Sequence, residues 1–121
     1  MKRVLIVDDS AVIRKVARRI FENLQFRTSE AENGAAALTS CQETMPDVIL
    51  LDWSMPVMDG YEFVKQLRKL PAGKEPKVVF CFSENDAGRI VRAMHAGADD
   101  YMMKPFDQDI VRSKFQDLGL A

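Results

Sequence analysis

Val4-Leu5-Ile6-Val7-Asp8-Asp9-Ser10 opens the stretch that decides the fold, and Ile13, Val16, Ala17, Ile20, Phe21 and Leu24 complete it. The first four residues are a short apolar run rich in β-branched side chains, the pattern of a strand buried on both faces. The later apolar positions recur at i, +3, +4, +7, +8 and +11, one face of a helix with Arg14, Lys15, Arg18 and Arg19 opposite or beside it. A buried strand running straight into an amphipathic helix is the first half of a parallel crossover unit.

The same alternation continues along the chain. A weaker strand at about 27–31 leads through Asn33-Gly34 into an alanine-rich helix at about 35–43, which Pro46 stops. Val48-Ile49-Leu50-Leu51 is the next buried strand and ends at Asp52. After a loop containing Met55-Pro56, residues Tyr61, Phe63, Val64, Leu67 and Leu70 recur at helical spacing. Residues 71–76 form a turn-rich connector, and 77–82 a fourth apolar strand. Ile90, Val91 and Met94 mark a fourth helix, closed by Gly97 where a left-handed cap is favoured. Tyr101-Met102-Met103 is a short fifth strand ended by Lys104-Pro105, and Ile110, Val111, Phe115 and Leu118 mark a fifth helix. Five strands alternating with five helices predict an α/β fold, a parallel sheet covered on both faces. Right-handed crossovers leave few topologies. No internal repeat or linker is visible, so residues 1–121 are expected to form a single domain with no output domain.

A chain of 121 residues, 47% apolar and 29% charged, can bury a core unaided and is not a disordered segment. With 17 basic and 18 acidic residues, it has no general electrostatic drive towards nucleic acid or an anionic membrane. Cys41 and Cys81 are too few and too far apart for a zinc site or a disulfide framework, and read as thiols in a reducing compartment. His95 is the only histidine, which excludes sites needing two imidazoles. Asp8 and Asp9 interrupt the first apolar run before it can serve as a signal peptide, and no run approaches the roughly 20 residues that span a bilayer. A cytoplasmic protein is expected.

In open parallel sheets, ligands bind beyond the carboxyl ends of the strands, near the point where strand order reverses. Asp8 and Asp9 end the first strand, Asp52 the third, and Lys104 the fifth, all on one edge. One Asp at a strand end is ordinarily a turn residue, but four such groups on one edge are not a turn signal. Carboxylates gathered there raise one another's pKa unless a cation lies between them. Oxygen ligands without His or Cys favour Mg2+, with a phosphate completing its shell. Lys104 is a point charge suited to phosphoryl oxygens.

With these features the chain resembles the receiver domains of two-component response regulators, the chemotaxis receivers in particular. The matching pieces are Val7-Asp8-Asp9-Ser10, Asp52 with Met55-Pro56 and Met58-Asp59-Gly60, Ala96-Gly97-Ala98, and Lys104-Pro105-Phe106, spread over nearly the whole length. The resemblance implies a flavodoxin-like (βα)5 three-layer sandwich with sheet order 2-1-3-4-5, an order whose standard examples include a chemotaxis receiver. It implies that Asp52 accepts a phosphoryl group from the phosphohistidine of a sensor histidine kinase or histidine phosphotransferase. Asp9, Asp52 and the Ser54 backbone carbonyl would coordinate Mg2+, with Asp8 acting largely through water. Lys104 would neutralise the acyl phosphate, and the Lys104–Pro105 bond would be cis. Tyr101 matches the aromatic that rotates inward on phosphorylation, and Ser54 and Glu84 match positions that tune phosphoryl lifetime. Phosphorylation would then switch a surface on helix 4, strand 5 and helix 5 towards a downstream protein target, without nucleic acid or membrane and without catalysis beyond the domain's own phosphoryl chemistry.

One position departs from the pattern. The family places Thr or Ser at the end of strand 4 to bond the phosphoryl group; counted without a gap from Lys104, that position is Phe82, with Ser83 one later. Either Ser83 supplies the hydroxyl through a local shift, or the latch is missing; Ser83 also competes with Asn85 and Asp86 as a helix N-cap. Arg89 and Arg92, with Tyr101 and Phe106, are candidates for the partner surface, although helical arginines are ordinarily a solvated face. Two other readings compete: a magnesium-dependent aspartyl-phosphate phosphatase, which would want an acid where Ser54 stands, and a degenerate docking module that no longer switches.

Overall fold

Strands with apolar residues at both parities need cover on both faces, and the helices supply it. The computed structural model describes residues 1–120. Strands β1 (Arg3–Val7), β2 (Arg27–Ala31), β3 (Val48–Asp52), β4 (Lys77–Phe82) and β5 (Asp100–Met103) alternate with helices α1 (Ala11–Asn23), α2 (Gly34–Glu43), α3 (Gly60–Leu67), α4 (Ala87–Ala96) and α5 (Gln108–Asp117). Every strand pairing is parallel and the order is β2-β1-β3-β4-β5, as expected.

Alternate residues of each central strand feed opposite layers. Leu5, Val7, Ile49, Leu51, Val78, Phe80 and Phe82 pack with Phe63, Val64 and Leu67 of α3, Ala37 and Cys41 of α2 and Ala93 of α4. Val4, Ile6, Val48, Leu50, Val79, Cys81 and Met102 pack with α1 and α5, where Phe21, Phe26 and Phe115 meet at centroid distances of 5.0 to 5.8 Å. No helix among the described residues is long and apolar enough to cross a membrane.

Polar side chains start the helices. Ser10, Asn33, Asp59, Asp86 and Asp107 each accept a hydrogen bond from the backbone N–H three residues on, satisfying a donor that the helix leaves unpaired. Asp86 thus caps α4, and Ser83 does not. Gly97 ends α4 at φ 118°, the left-handed cap. Gly60 lets α3 begin against the sheet, since a Cβ there would sit 2.5 Å from the Asp52 carbonyl oxygen and 2.6 Å from the Phe80 ring.

Some apolar positions do not face the core. Val16 of α1, Val91 and Met94 of α4 and Ile110 of α5 are exposed, although their spacing fits an apolar face. The stripe that touches the sheet is narrower than the periodic pattern, and these residues lie on its margins. Helix α3 ends at Leu67, short of Leu70; Leu70 still packs against the core from the turn that follows. Arg68 stabilises that stop by donating to the carbonyls of Gly73, Pro76 and Gly97 and to the Asp99 carboxylate.

Candidate functional site

Register brings the acids together. Val7 lies opposite Leu51 in the β1–β3 ladder, so Asp8 and Asp52 emerge side by side, and Phe82 opposite Met103 places Lys104 one residue beyond the β4–β5 ladder. Asp8, Asp9 and Asp52 each present a carboxylate oxygen, all within 4.8 Å of one another. The Lys104 Nζ donates to Asp8 Oδ2 at 2.7 Å and to Asp52 Oδ1 at 3.2 Å. The other Asp8 oxygen accepts from the Ser10 N–H at 2.9 Å. Asp8 and Asp52 are buried, while Asp9 is exposed at the mouth.

Electrostatics follow from that crowding. Burial and the Asp8 charge, with a smaller push from Asp9, raise the Asp52 carboxyl from 3.8 to about 6 against the pull of Lys104. Burial works to lower the Lys104 ammonium, but the hydrogen bonds and charges of Asp8 and Asp52 outweigh it and hold it above the ordinary lysine value. The free thiols are not candidates for chemistry: burial pushes Cys41 up to about 11 and raises Cys81 as well.

The loop after Asp52 carries the rest of the motif. Ser54 is exposed and Met55 buried, and the Asp59 carboxylate is committed to capping α3 through the Glu62 N–H at 2.9 Å. Val57 is exposed and holds φ 70°. The Lys104–Pro105 peptide is cis.

Beside the acids lies a row of rings. Trp53, next to Asp52, has its centroid 5.4 Å from Phe82 and 5.3 Å from Phe80, and Phe82 reaches Tyr101 at 6.2 Å, edge to face. Phe82 is fully buried at the end of β4, Ser83 and Glu84 are exposed beyond it, and Tyr101 is half-buried with the Lys114 ammonium 5.7 Å from its ring centre.

Two arginines make contacts that the sequence does not mark. The exposed Arg92 of α4 places its guanidinium over Tyr61 at 4.7 Å and Trp53 at 5.8 Å. Arg14, beside the apolar face of α1, bonds the Asp8 carbonyl and the Glu30 carboxylate. Helical spacing marks neither, since an arginine aimed at a neighbour and one aimed at water share the same position in the pattern.

An acidic cluster with one lysine, at the carboxyl edge of a sheet ordered 2-1-3-4-5, defines a class of phosphoryl-accepting signalling domains. The chain belongs to that class: the family model of the response regulator receiver domain matches residues 4–116. It is 35% identical over 120 residues to the chemotaxis protein CheY of Halobacterium salinarum, covering 99% of this chain and 98% of that one. It is similar to the chemotaxis protein CheY4 of Vibrio cholerae, with a TM-score of 0.92 at 31% identity over 97% of this chain and 98% of the other. The receiver domain of the sensor histidine kinase PA1611 of Pseudomonas aeruginosa, with a magnesium ion coordinated in its active-site cleft, matches at a TM-score of 0.88 and 26% identity, covering 96% of this chain and 95% of that one.

Proposed function

We propose that Asp52 is the phosphoacceptor of a CheY-like response regulator, charged from the phosphohistidine of a sensor histidine kinase or histidine phosphotransferase. The observation that carries this reading is the buried Asp52 carboxylate at the end of β3, bonded to Lys104 and converging with Asp8 and Asp9, with Asp8 already held by Lys104 and the Ser10 N–H. A carboxylate oxygen of Asp52 forms the bond to phosphorus as the phosphorus–nitrogen bond breaks, and the electron pair stays on the imidazole nitrogen. Lys104 then faces the new phosphoryl oxygens and offsets their charge.

The residues fit a magnesium ion. Three carboxylates against one ammonium leave the cluster negative, and the donors are all oxygen. Asp9 and Asp52 would hold the ion, with the Ser54 carbonyl from the adjoining loop; Asp8, already committed to Lys104 and Ser10, would act from outside. When bound, the ion neutralises the acceptor and orients phosphoryl oxygens.

The output in this reading is a protein-binding surface on α4, β5 and α5, biased through Tyr101. Ser54 and Glu84, both exposed, set phosphoryl lifetime in this reading. Phe82 puts a ring where the family has a hydroxyl, so coupling from phosphate to Tyr101 is weaker than in receivers that carry one.

Acetyl phosphate with magnesium, followed by borohydride trapping and mass spectrometry, tests the assignment. Label on Asp52 that disappears in Asp52→Asn is expected; label on Asp59, or undiminished labelling of the variant, overturns it.

A further inference from the structure

The Asp9 carboxylate is exposed at the mouth of the cluster, so its direction depends on the peptide that joins it to Asp8. That peptide is anchored to edge strand β2. The Asp8 N–H donates to the Ala31 carbonyl at 3.2 Å, and the Asp8 carbonyl, which belongs to the Asp8–Asp9 peptide itself, accepts from the Arg14 guanidinium. The guanidinium is held in turn. Its Nε donates to Glu30 Oε1 at 3.0 Å, while Arg18, one turn further along α1, reaches Glu30 Oε2 at 2.7 Å. Glu30 and Ala31 are consecutive residues of β2, so both anchors rest on one piece of backbone. The Arg14 side chain is only 17% exposed, which removes it from the freely solvated arginines of α1.

We infer that Arg14, oriented by Glu30, is a positioning residue for the metal-binding acids: it fixes the Asp8–Asp9 peptide and thereby aims the Asp9 carboxylate into the cluster. The inference rests on the magnesium reading above and adds a residue from outside the acidic motif. The planar fork of arginine suits the task, because one edge meets the carboxylate while another nitrogen meets the carbonyl; a lysine ammonium offers no such pair of fixed directions.

Charge and position predict opposite signs. A cation near the acids repels magnesium, so by Coulomb's law alone the loss of Arg14 tightens metal binding. The Glu30 carboxylate, 3.0 Å away and shared with Arg18, offsets part of that charge, and the orientation of Asp9 is the larger effect. Groups that orient metal ligands are commonly worth about tenfold or more in metal affinity.

The test titrates magnesium into the native chain, Arg14→Met, Arg14→Lys and Glu30→Gln, reading Trp53 emission, with a urea melt of each variant beside it. Hydrogen exchange of the Ser10 amide, which bonds Asp8 Oδ1, is measured without metal as a report on the same loop. Arg14→Met and Arg14→Lys are both expected to weaken magnesium binding by about tenfold and to speed Ser10 exchange. Glu30→Gln should weaken binding less in the native background and not at all in the Arg14→Met background. Equal or tighter magnesium binding by Arg14→Met overturns the inference. A native chain that ignores magnesium overturns the metal reading instead, and unchanged Ser10 exchange in Arg14→Met then disposes of the clamp separately.

Discussion

Replacing Asp52 with asparagine should make the metal-free protein more stable, not less. Moving a buried carboxyl from 3.8 to about 6 corresponds to on the order of 3 kcal/mol against its charged form. The folded state therefore holds the Asp52 proton more tightly than the unfolded chain does. Stability from this group is complete below the unfolded value and is lost as pH rises through the folded one, a window from about 4 to 6. At pH 7.5 Asp52→Asn removes that cost while Lys104 keeps its 2.7 Å partner in Asp8. A gain of about 2–3 kcal/mol, with a urea dependence of about 1–3 kcal/mol per molar, moves the midpoint by about 0.7–3 M. The assay is urea unfolding followed by Trp53 emission in chelator at several pH values. The gap between variant and native protein should close towards pH 4, and magnesium should narrow it at neutral pH by binding the native site. A variant no more stable than native at pH 7.5, or a gap that widens in acid, would refute the reasoning.

Phe82→Thr opens a cavity among Phe80, Trp53 and Tyr101 and should cost about 3 kcal/mol in urea unfolding. The same substitution should enlarge the amide shift changes that beryllium fluoride induces in α4 and β5, with Ser83→Ala the smaller effect; a response abolished by Ser83→Ala and unaltered in Phe82→Thr would make Ser83 the latch. Val57 holds a β-branched side chain at φ 70° in solvent, so Val57→Asn should raise stability by up to about 1 kcal/mol, read as a higher melting temperature. A lower melting temperature would show that the valine side chain contributes packing that outweighs its strain.

The α/β class was legible because two periods alternate: Val4 to Val7, Val48 to Leu51 and 77–82 are short apolar runs set between helical patterns, while the sheet order rested on the resemblance to receiver domains. The acids and Lys104 were legible for the same reason, since a parallel sheet gathers its carboxyl-end residues on one edge. Other features depend on three-dimensional placement that one-dimensional spacing does not carry. Period two says that Phe80 and Phe82 share a face, but not that Trp53 from the neighbouring loop packs against both rings. By spacing alone Arg14 and Arg92 within helices, and Arg68 at the end of one, look no different from Arg19, and only the packing of one helix against another strand or loop reveals what each guanidinium meets.

The ends of α4 are tethered unequally, and that limits how the helix can travel. Arg68 grips the Gly97 carbonyl through two nitrogens, at 2.7 and 3.1 Å, and ties the same spot to the connector through Gly73 and Pro76. At the other end, Ala87, Gly88 and Arg89 are exposed, held chiefly by their own Asp86 cap. A helix pinned at its tail and loose at its head swings about Gly97 and does not slide along its axis. The greatest excursion then falls on the turn nearest Ser83 and Glu84, and the least on His95 and Ala96.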